Sequence, residues 1–202
     1  LKTVNISRSS ATQRAGRAGR LEPGVVYRLG SKEILERRSA HDAPEILTSD
    51  ISALTLEAKI WGANVDDLQL LDTPTRAQQH HANALLYMLE AIDSAGKLTP
   101  QAKAMHSLAT DLRYAHLLVK AQQLNNPYPG FLPLAAAFVA LMEARIRSNA
   151  ELSTALNSQL QRPHPAFKQQ LEYWRKRLHW QHSDALPMSL LSVVVALAFP
   201  DR

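Results

Sequence analysis

The stretch "SSATQRAGRAGR", residues 9–20, sets three arginines, Arg14, Arg17 and Arg20, three positions apart, with Gly16 and Gly19 between them and Gln13 in front. Inside a helix each glycine is worse than alanine by roughly 1 kcal/mol. A glycine kept there marks the close approach of another backbone or of a ligand. On a helix, Gln13 and Arg17 are i,i+4 and Arg14 and Arg17 are i,i+3, so these pairs share a face. Arg20 comes one step on, where Gly19 lets the chain leave the helix. Two guanidinium forks would then converge on one anion from a helix end. Developing phosphoryl charge needs that arrangement, and an arginine finger is worth about 10³–10⁵ in rate. The plainer reading is a flexible Arg-Gly tail touching RNA without specificity. The residues directly after the motif argue against it: a strand–turn pattern, then amphipathic helix to the end of the chain.

The charge distribution points the same way. The chain of 202 residues carries a net charge of +5. Residues 1–40 hold nine Lys/Arg against three Asp/Glu, and the rest hold fourteen against fifteen. The basic excess therefore sits in the first fifth, which suggests a local polyanion site, nucleic acid or nucleotide phosphate. There are no cysteines, which excludes disulfide scaffolds, thiolate zinc sites and cysteine nucleophiles and fits a reducing compartment. No charged end followed by an apolar block marks a signal peptide. Two uncharged runs, 121–142 and 185–200, fall short of the roughly 20 apolar residues of a membrane helix. The first is broken by Asn125, Asn126, Pro127, Pro129, Gly130 and Pro133; the second is short and has Pro187 near its start. Both read as buried core helices of a soluble chain, without a membrane partner.

Along the chain, residues 1–6 alternate as a short strand, and Ser9 or Ser10 can cap the arginine helix. Pro23-Gly24 makes a turn, and "VVYRL", residues 25–29, has strand composition. Ser31 caps a further helix with Glu33 in its first turn. From Pro44 onward nearly everything reads as helix. One helix runs from Pro44 through Trp61 to a stop at Gly62, and a second spans about 76–94 with Leu85, Leu86, Met88, Leu89 and Ile92 on its buried side. Residues 95–99 read as a turn into a short strand. Beyond Pro100 the expected helices are 101–110, 112–124, 132–148, 150–161, 165–180 and 188–198, with no fixed repeat.

The segment "QRAGRAGR" is similar to motif VI of the DEAH-type superfamily 2 helicases, and its context agrees. "ISRSSATQRAGRAGRLEPGVVYRL" resembles that family's run from the strand before motif VI to the strand after it. "PEILTSDISALTLEAKIWG" resembles the start of the winged helix that follows the second RecA-like domain. "GKLTPQAKAM" and "LRYAHLLVKA" resemble the start of the helical ratchet bundle. "LLSVVVALAFPDR" looks like the bacterial HrpB branch. Gln101-Ala102 after "LTP" departs from the Leu-Gly of many relatives.

The resemblance implies a mainly α chain in three parts. Residues 1–43 would be the α/β edge of a second RecA-like domain, 44–99 a winged-helix unit, and 100–202 a ratchet-like helical bundle. It makes Gln13 a partner of the γ-phosphate or attacking water, and Arg17 and Arg20 the γ-phosphate-sensing arginines. Arg14 and Gly16 complete the nucleotide-binding motif. It implies ATP and Mg²⁺ in a full-length parent, single-stranded nucleic acid as partner with RNA preferred over DNA, and contact with the parent's first RecA-like and C-terminal domains. It also implies the cytoplasm of a bacterium.

No phosphate loop is present: Gly19 and Gly24 are five apart, but Val25-Val26 stand where Lys and Ser/Thr belong. No Asp-Glu pair holds magnesium. The chain therefore reads as a fragment without hydrolytic activity of its own. Two other readings compete with it: a stand-alone nucleic-acid-binding winged-helix module with a basic Arg-Gly segment, and a helical interaction scaffold. His80-His81 point about 100° apart on a helix, and His179 with His182 lack a third zinc ligand. Asp66-Asp67 fits the start of a short helix better than an acid–base pair. "YWRKRLHW", residues 173–180, could stack bases, but an amphipathic surface helix explains it better.

Overall fold

A computed structural model of the chain describes residues 5–180 and 186–201, which divide into two compact units. The smaller comprises the residues through Ser49 together with Leu70–Thr73, and the larger comprises the remainder. Among the described residues the fold is mainly helical and contains no strand.

The smaller unit carries helices α1 (Arg8–Ala15) and α2 (Lys32–Glu36). Its capping differs from expectation at α1: Ser7, not Ser9 or Ser10, accepts the Ser10 N–H at 3.1 Å. At α2 the cap is Ser31, whose hydroxyl accepts the Ile34 N–H, with Glu33 in the first turn. The strand expected over 25–29 does not form. A strand is stabilised by the ladder it makes with neighbours, and no partner strand stands beside it among the described residues. The strand expected over 1–6 lies mostly outside the described residues.

The larger unit holds α3 (Ser52–Ile60), α4 (Arg76–Met88), α5 (Pro100–Ser107), α6 (Leu112–Leu124), α7 (Phe131–Glu143), α8 (Leu152–Gln161), α9 (Pro165–Leu178) and α10 (Leu191–Ala198). The helix expected from Pro44 begins instead at Ser52. The Asp50 carboxylate accepts both the Ser52 N–H (2.7 Å) and its hydroxyl (2.5 Å), holding the first residue of the helix, which Ile51 precedes as N-cap, and only a 3₁₀ turn forms at Glu45–Leu47. The expected stop at Gly62 holds, with φ +84°.

α4 starts on a reciprocal box, in which Gln78 N–H donates to the Thr75 hydroxyl and Thr75 N–H to the Gln78 side chain. It ends at Met88 rather than Ser94, because Glu90 turns left-handed (φ +53°). Met88 is exposed rather than buried. Residues 92–98 then fold back through one antiparallel bridge, Ile92 to Leu98, with the Asp93 carboxylate accepting the N–H groups of Ala95 and Lys97. The expected strand is reduced to that bridge. Thr99 and Pro100 start α5, and Gln101 donates its side-chain N–H to the Leu89 carbonyl at 2.9 Å. That bond gives the Gln101-Ala102 departure a local role: Gln101 ties α5 to the end of α4 while Ala102 is buried beneath.

At the centre lies α7, buried at every position from Phe131 to Leu141. It packs against α6, α8, α9 and α10. Gly130 (φ +84°) turns the chain into it, and the Asn125 side chain accepts the Leu132 N–H at 3.1 Å. Its far end is tied at Glu143, which accepts from the Thr110 hydroxyl (2.7 Å) and the Trp174 indole N–H (2.8 Å). α9 presents Phe167, Trp174 and Leu178 inward and Tyr173, Lys176 and Arg177 outward, the amphipathic helix expected of "YWRKRLHW". Phe138 sits under the edge of Tyr114, ring centroids 6.4 Å apart. Phe138→Ala should cost about 3–5 kcal/mol of unfolding free energy, whereas Tyr173→Ala, half outside the fold, should stay within about 0.5 kcal/mol. Urea unfolding followed by helical circular dichroism distinguishes the two.

Candidate functional site

The arginine segment begins on α1, whose N-terminus is stitched to a loop 30 residues on. Ser7, fully buried, donates its N–H to Asp42 Oδ1 (3.1 Å), while Arg8 and Ser9 donate theirs to the carbonyls of Ser39 (2.9 Å) and Ala40 (3.0 Å). The free N–H groups that make a helix start an anion site are therefore taken by protein. The available chemistry lies at the other end. At Gly16 the helix tightens into a 3₁₀ turn, Gly16–Gly19, and Arg20 still has right-handed angles (φ −74°, ψ −41°). The chain thus leaves the helix after Arg20, one residue later than Gly19 suggested.

In a 3₁₀ helix positions i and i+3 eclipse; Arg17 lies within this turn and Arg20 follows it directly as the C-cap. Gln13, Arg14, Gly16, Arg17 and Arg20 are all exposed, and no ion pair among the described residues engages the three arginines. Arg14 is set apart. With Arg28, Arg38, Val26 and Leu35 it lines a cavity of about 250 Å³ on the α2 side. The Nε of Arg38 is buried without a hydrogen-bond partner.

The glycines divide into two kinds. A methyl group added at Gly16 or Gly19 would meet open space, and Gly16 has ordinary helical angles (φ −64°, ψ −11°). Nothing within the described chain requires glycine there. Gly24 is the reverse: a Cβ would run into the carbonyl of Ala18. Sequence reasoning missed this packing of the Pro23-Gly24 turn on the arginine segment, and it missed Ser7 and Asp42. Within "SRSS" three serines compete for the cap, and nothing near Asp42 advertises its distant partner.

The other candidates carry no site. His80, His81 and His179 are exposed, and His182 lies outside the described residues. Among the described residues no group of three or more His, Asp or Glu could hold a metal. Asp67 accepts the Asn64 N–H (2.8 Å) and Asp66 accepts from Gln79 (2.7 Å), both within a local turn network. Among the described residues no helix is long and apolar enough to cross a membrane.

No family model matches the chain. Individual proteins do. It is 38% identical over 205 residues to the ATP-dependent RNA helicase HrpB of Escherichia coli, across 100% of this chain and 24% of that protein. A putative ATP-dependent RNA helicase of Schizosaccharomyces pombe is 35% identical over 68% of this chain and 11% of its own length. The human ATP-dependent RNA helicase DHX30 is 28% identical over 90% of this chain and 16% of its own length. Two crystal structures of E. coli HrpB superpose with TM-scores of 0.79 (37% identity, 100% of this chain) and 0.83 (36%, 98%), each over 24% of the solved chain. The chain thus matches a segment of the DEAH-type superfamily 2 helicases. Within them it goes with the bacterial HrpB-like branch, and it spans about a quarter of the length of HrpB.

The structure of the turn yields a test. Gly24→Ala should loosen the smaller unit and speed amide exchange along α1. Gly16→Ala and Gly19→Ala should leave exchange equal or slower, since alanine is the better helix former by roughly 1 kcal/mol. Amide-exchange rates of the three variants check this.

Proposed function

We propose that this chain is the part of an ATP-dependent RNA helicase that supplies arginine fingers to the nucleotide and helical walls to the single-strand channel. The exposed 3₁₀ turn that carries Arg17 and runs directly into Arg20 is the observation that supports it. Two exposed cations three residues apart, with no carboxylate paired to them, suit the equatorial oxygens of a transferring phosphoryl group. Gln13 stands one α-helical turn before Arg17 and orients the attacking water or the γ-phosphate. Arg14 and Gly16 complete the nucleotide-binding set, with Gly16 leaving its surface open for the nucleotide or the facing domain to approach.

ATP supplies the phosphoryl group when bound. Its Mg²⁺ would be held by other residues of a parent protein, since Gln13, Arg17 and Arg20 themselves offer no carboxylate. In this reading 1–43 is the edge of a second RecA-like domain, 44–99 a winged-helix unit and 100–202 the ratchet-like bundle. Exposed Val25, Tyr27 and Leu29 (76%, 87% and 95% accessible) support the first of these, as an apolar segment awaiting the strands of a larger α/β domain. The partners are single-stranded RNA and the parent's first RecA-like and C-terminal domains, in the cytoplasm of a bacterium.

Two experiments test this reading. In the parent, Arg17→Ala or Arg20→Ala should leave ATP affinity largely intact and lower kcat by about 10³-fold or more. Lysine should rescue poorly because an ammonium lacks the planar fork, and Gly16→Ala should also slow turnover although it does not disturb this chain's fold. Near-normal kcat in both arginine variants refutes the finger assignment. Alone, the 202-residue chain should not hydrolyse ATP. It should bind single-stranded RNA weakly at low salt, and less still when it starts near Ala43, since the basic excess is then gone. Equal affinity of the two chains removes the arginine segment from RNA binding.

A further inference from the structure

Two side chains one turn apart on α6 grip "LAFPD", residues 197–201. The Arg113 guanidinium forks both carboxylate oxygens of Asp201, and its centre lies 5.7 Å from the centroid of the Phe199 ring. His116, 3% exposed, donates from Nδ1 to the Leu197 carbonyl at 2.9 Å. Its Nε2 is buried and has no hydrogen-bond partner. The imidazole is therefore held as a neutral ring with its proton on Nδ1. The contacts on α10 itself are apolar: Leu191, Val194 and Ala198 face the core.

We propose that Leu197–Asp201 is a clasp closed on α6, and that protonation of His116 releases it. Only the neutral ring fits. A proton on Nε2 would place a cation and an unmatched donor in an apolar interior. The buried stretch of α7 and the whole of α10 carry no titratable group. From α5, Lys103 is exposed, and His106 is exposed and engages Glu57 at 2.7 Å. The charges that reach the ring are Lys120, one turn along α6, and Glu90, which pairs with Lys120 at 2.5 Å. Burial acts first and holds the His116 pKa below its ordinary value. The Leu197 carbonyl opposes that, Lys120 adds to it and Glu90 opposes it.

Linkage sets the sign. When the clasp opens, the ring regains its ordinary pKa near 6.5 and binds the proton more readily than when closed. Closure is therefore fully stable above about 6.5 and weakens as pH falls below it, until the closed form also titrates. Across that window the opening constant rises by up to about tenfold per pH unit.

Amide exchange of the whole chain at about pH 7.5 and 5.5, corrected for the intrinsic pH dependence, reads this directly. The last turn of α10 and Phe199 should lose protection by up to about tenfold per unit below 6.5. His116→Phe keeps an apolar ring that cannot be protonated, and should abolish the pH dependence. Asp201→Asn should speed exchange at both pH values and leave the pH dependence in place. Should the phenylalanine variant fail to fold, the imidazole titration of the unmodified chain decides: His116 should titrate below 6.5 with its neutral proton on Nδ1. Equal protection at the two pH values, pH dependence that survives His116→Phe, or titration at or above 6.5 overturns the proton-driven release. Unchanged exchange in Asp201→Asn overturns the clasp.

Discussion

From Phe131 to Leu141 every residue of α7 is buried, and a helix without a polar face cannot be completed by a neighbour on one side alone. It needs packing all round, and α6, α8, α9 and α10 provide it. The small residues Ala135, Ala136, Ala137 and Ala140 let those helices approach closely, while Phe131 and Phe138 fill the space between them. The polar contacts fall at the two ends. Asn125 takes a free N–H at the start, and Glu143 at the finish joins the α5–α6 turn to α9 through Thr110 and Trp174. Burial supplies the driving force and end-capping fixes the register, so each of the surrounding helices has one seat.

The smaller unit is built on the opposite principle. Its large apolar side chains, Leu21, Val25, Tyr27, Leu29 and Ile34, stand largely in solvent. Its order comes from hydrogen bonds: Ser7 to Asp42, the Ser39 and Ala40 carbonyls to α1, and the Ser31 cap on α2. Such bonds contribute about 1 kcal/mol each and orient a segment better than they stabilise it. That is enough to aim a short helix. It leaves an apolar surface in solvent.

Helix content and core were legible because they depend on periodicity within ten or fifteen residues. The seats of Leu85, Leu86, Leu89 and Ile92, the Gly62 stop and the Ser31 cap all come from local pattern. What escaped was decided elsewhere. Asp50 outcompetes Pro44 as a helix start because its carboxylate takes both Ser52 donors, a choice that composition leaves open. Glu90 in a left-handed conformation ends α4 six residues early, and only the fold-back through Ile92 and Leu98 requires it. Residues 25–29 have strand composition, yet strands are made by partners, and none stands beside this one among the described residues.

The arginine segment shows how far a motif can be read without its surroundings. Spacing placed Gln13, Arg14 and Arg17 on one helix, and α1 with its 3₁₀ extension agrees. Spacing did not reveal the change from 3.6 to 3 residues per turn at Gly16, nor that Arg14 lines the cavity on the α2 side. Glycine frees the backbone for that tightening but is not required for it, since Gly16 and Gly19 have room for a methyl group within this chain. Gly24 has none, because Ala18 lies against it. A glycine explained by its own fold and one left unexplained are different kinds of observation. The first reports packing already present; the second has no packing reason among the described residues.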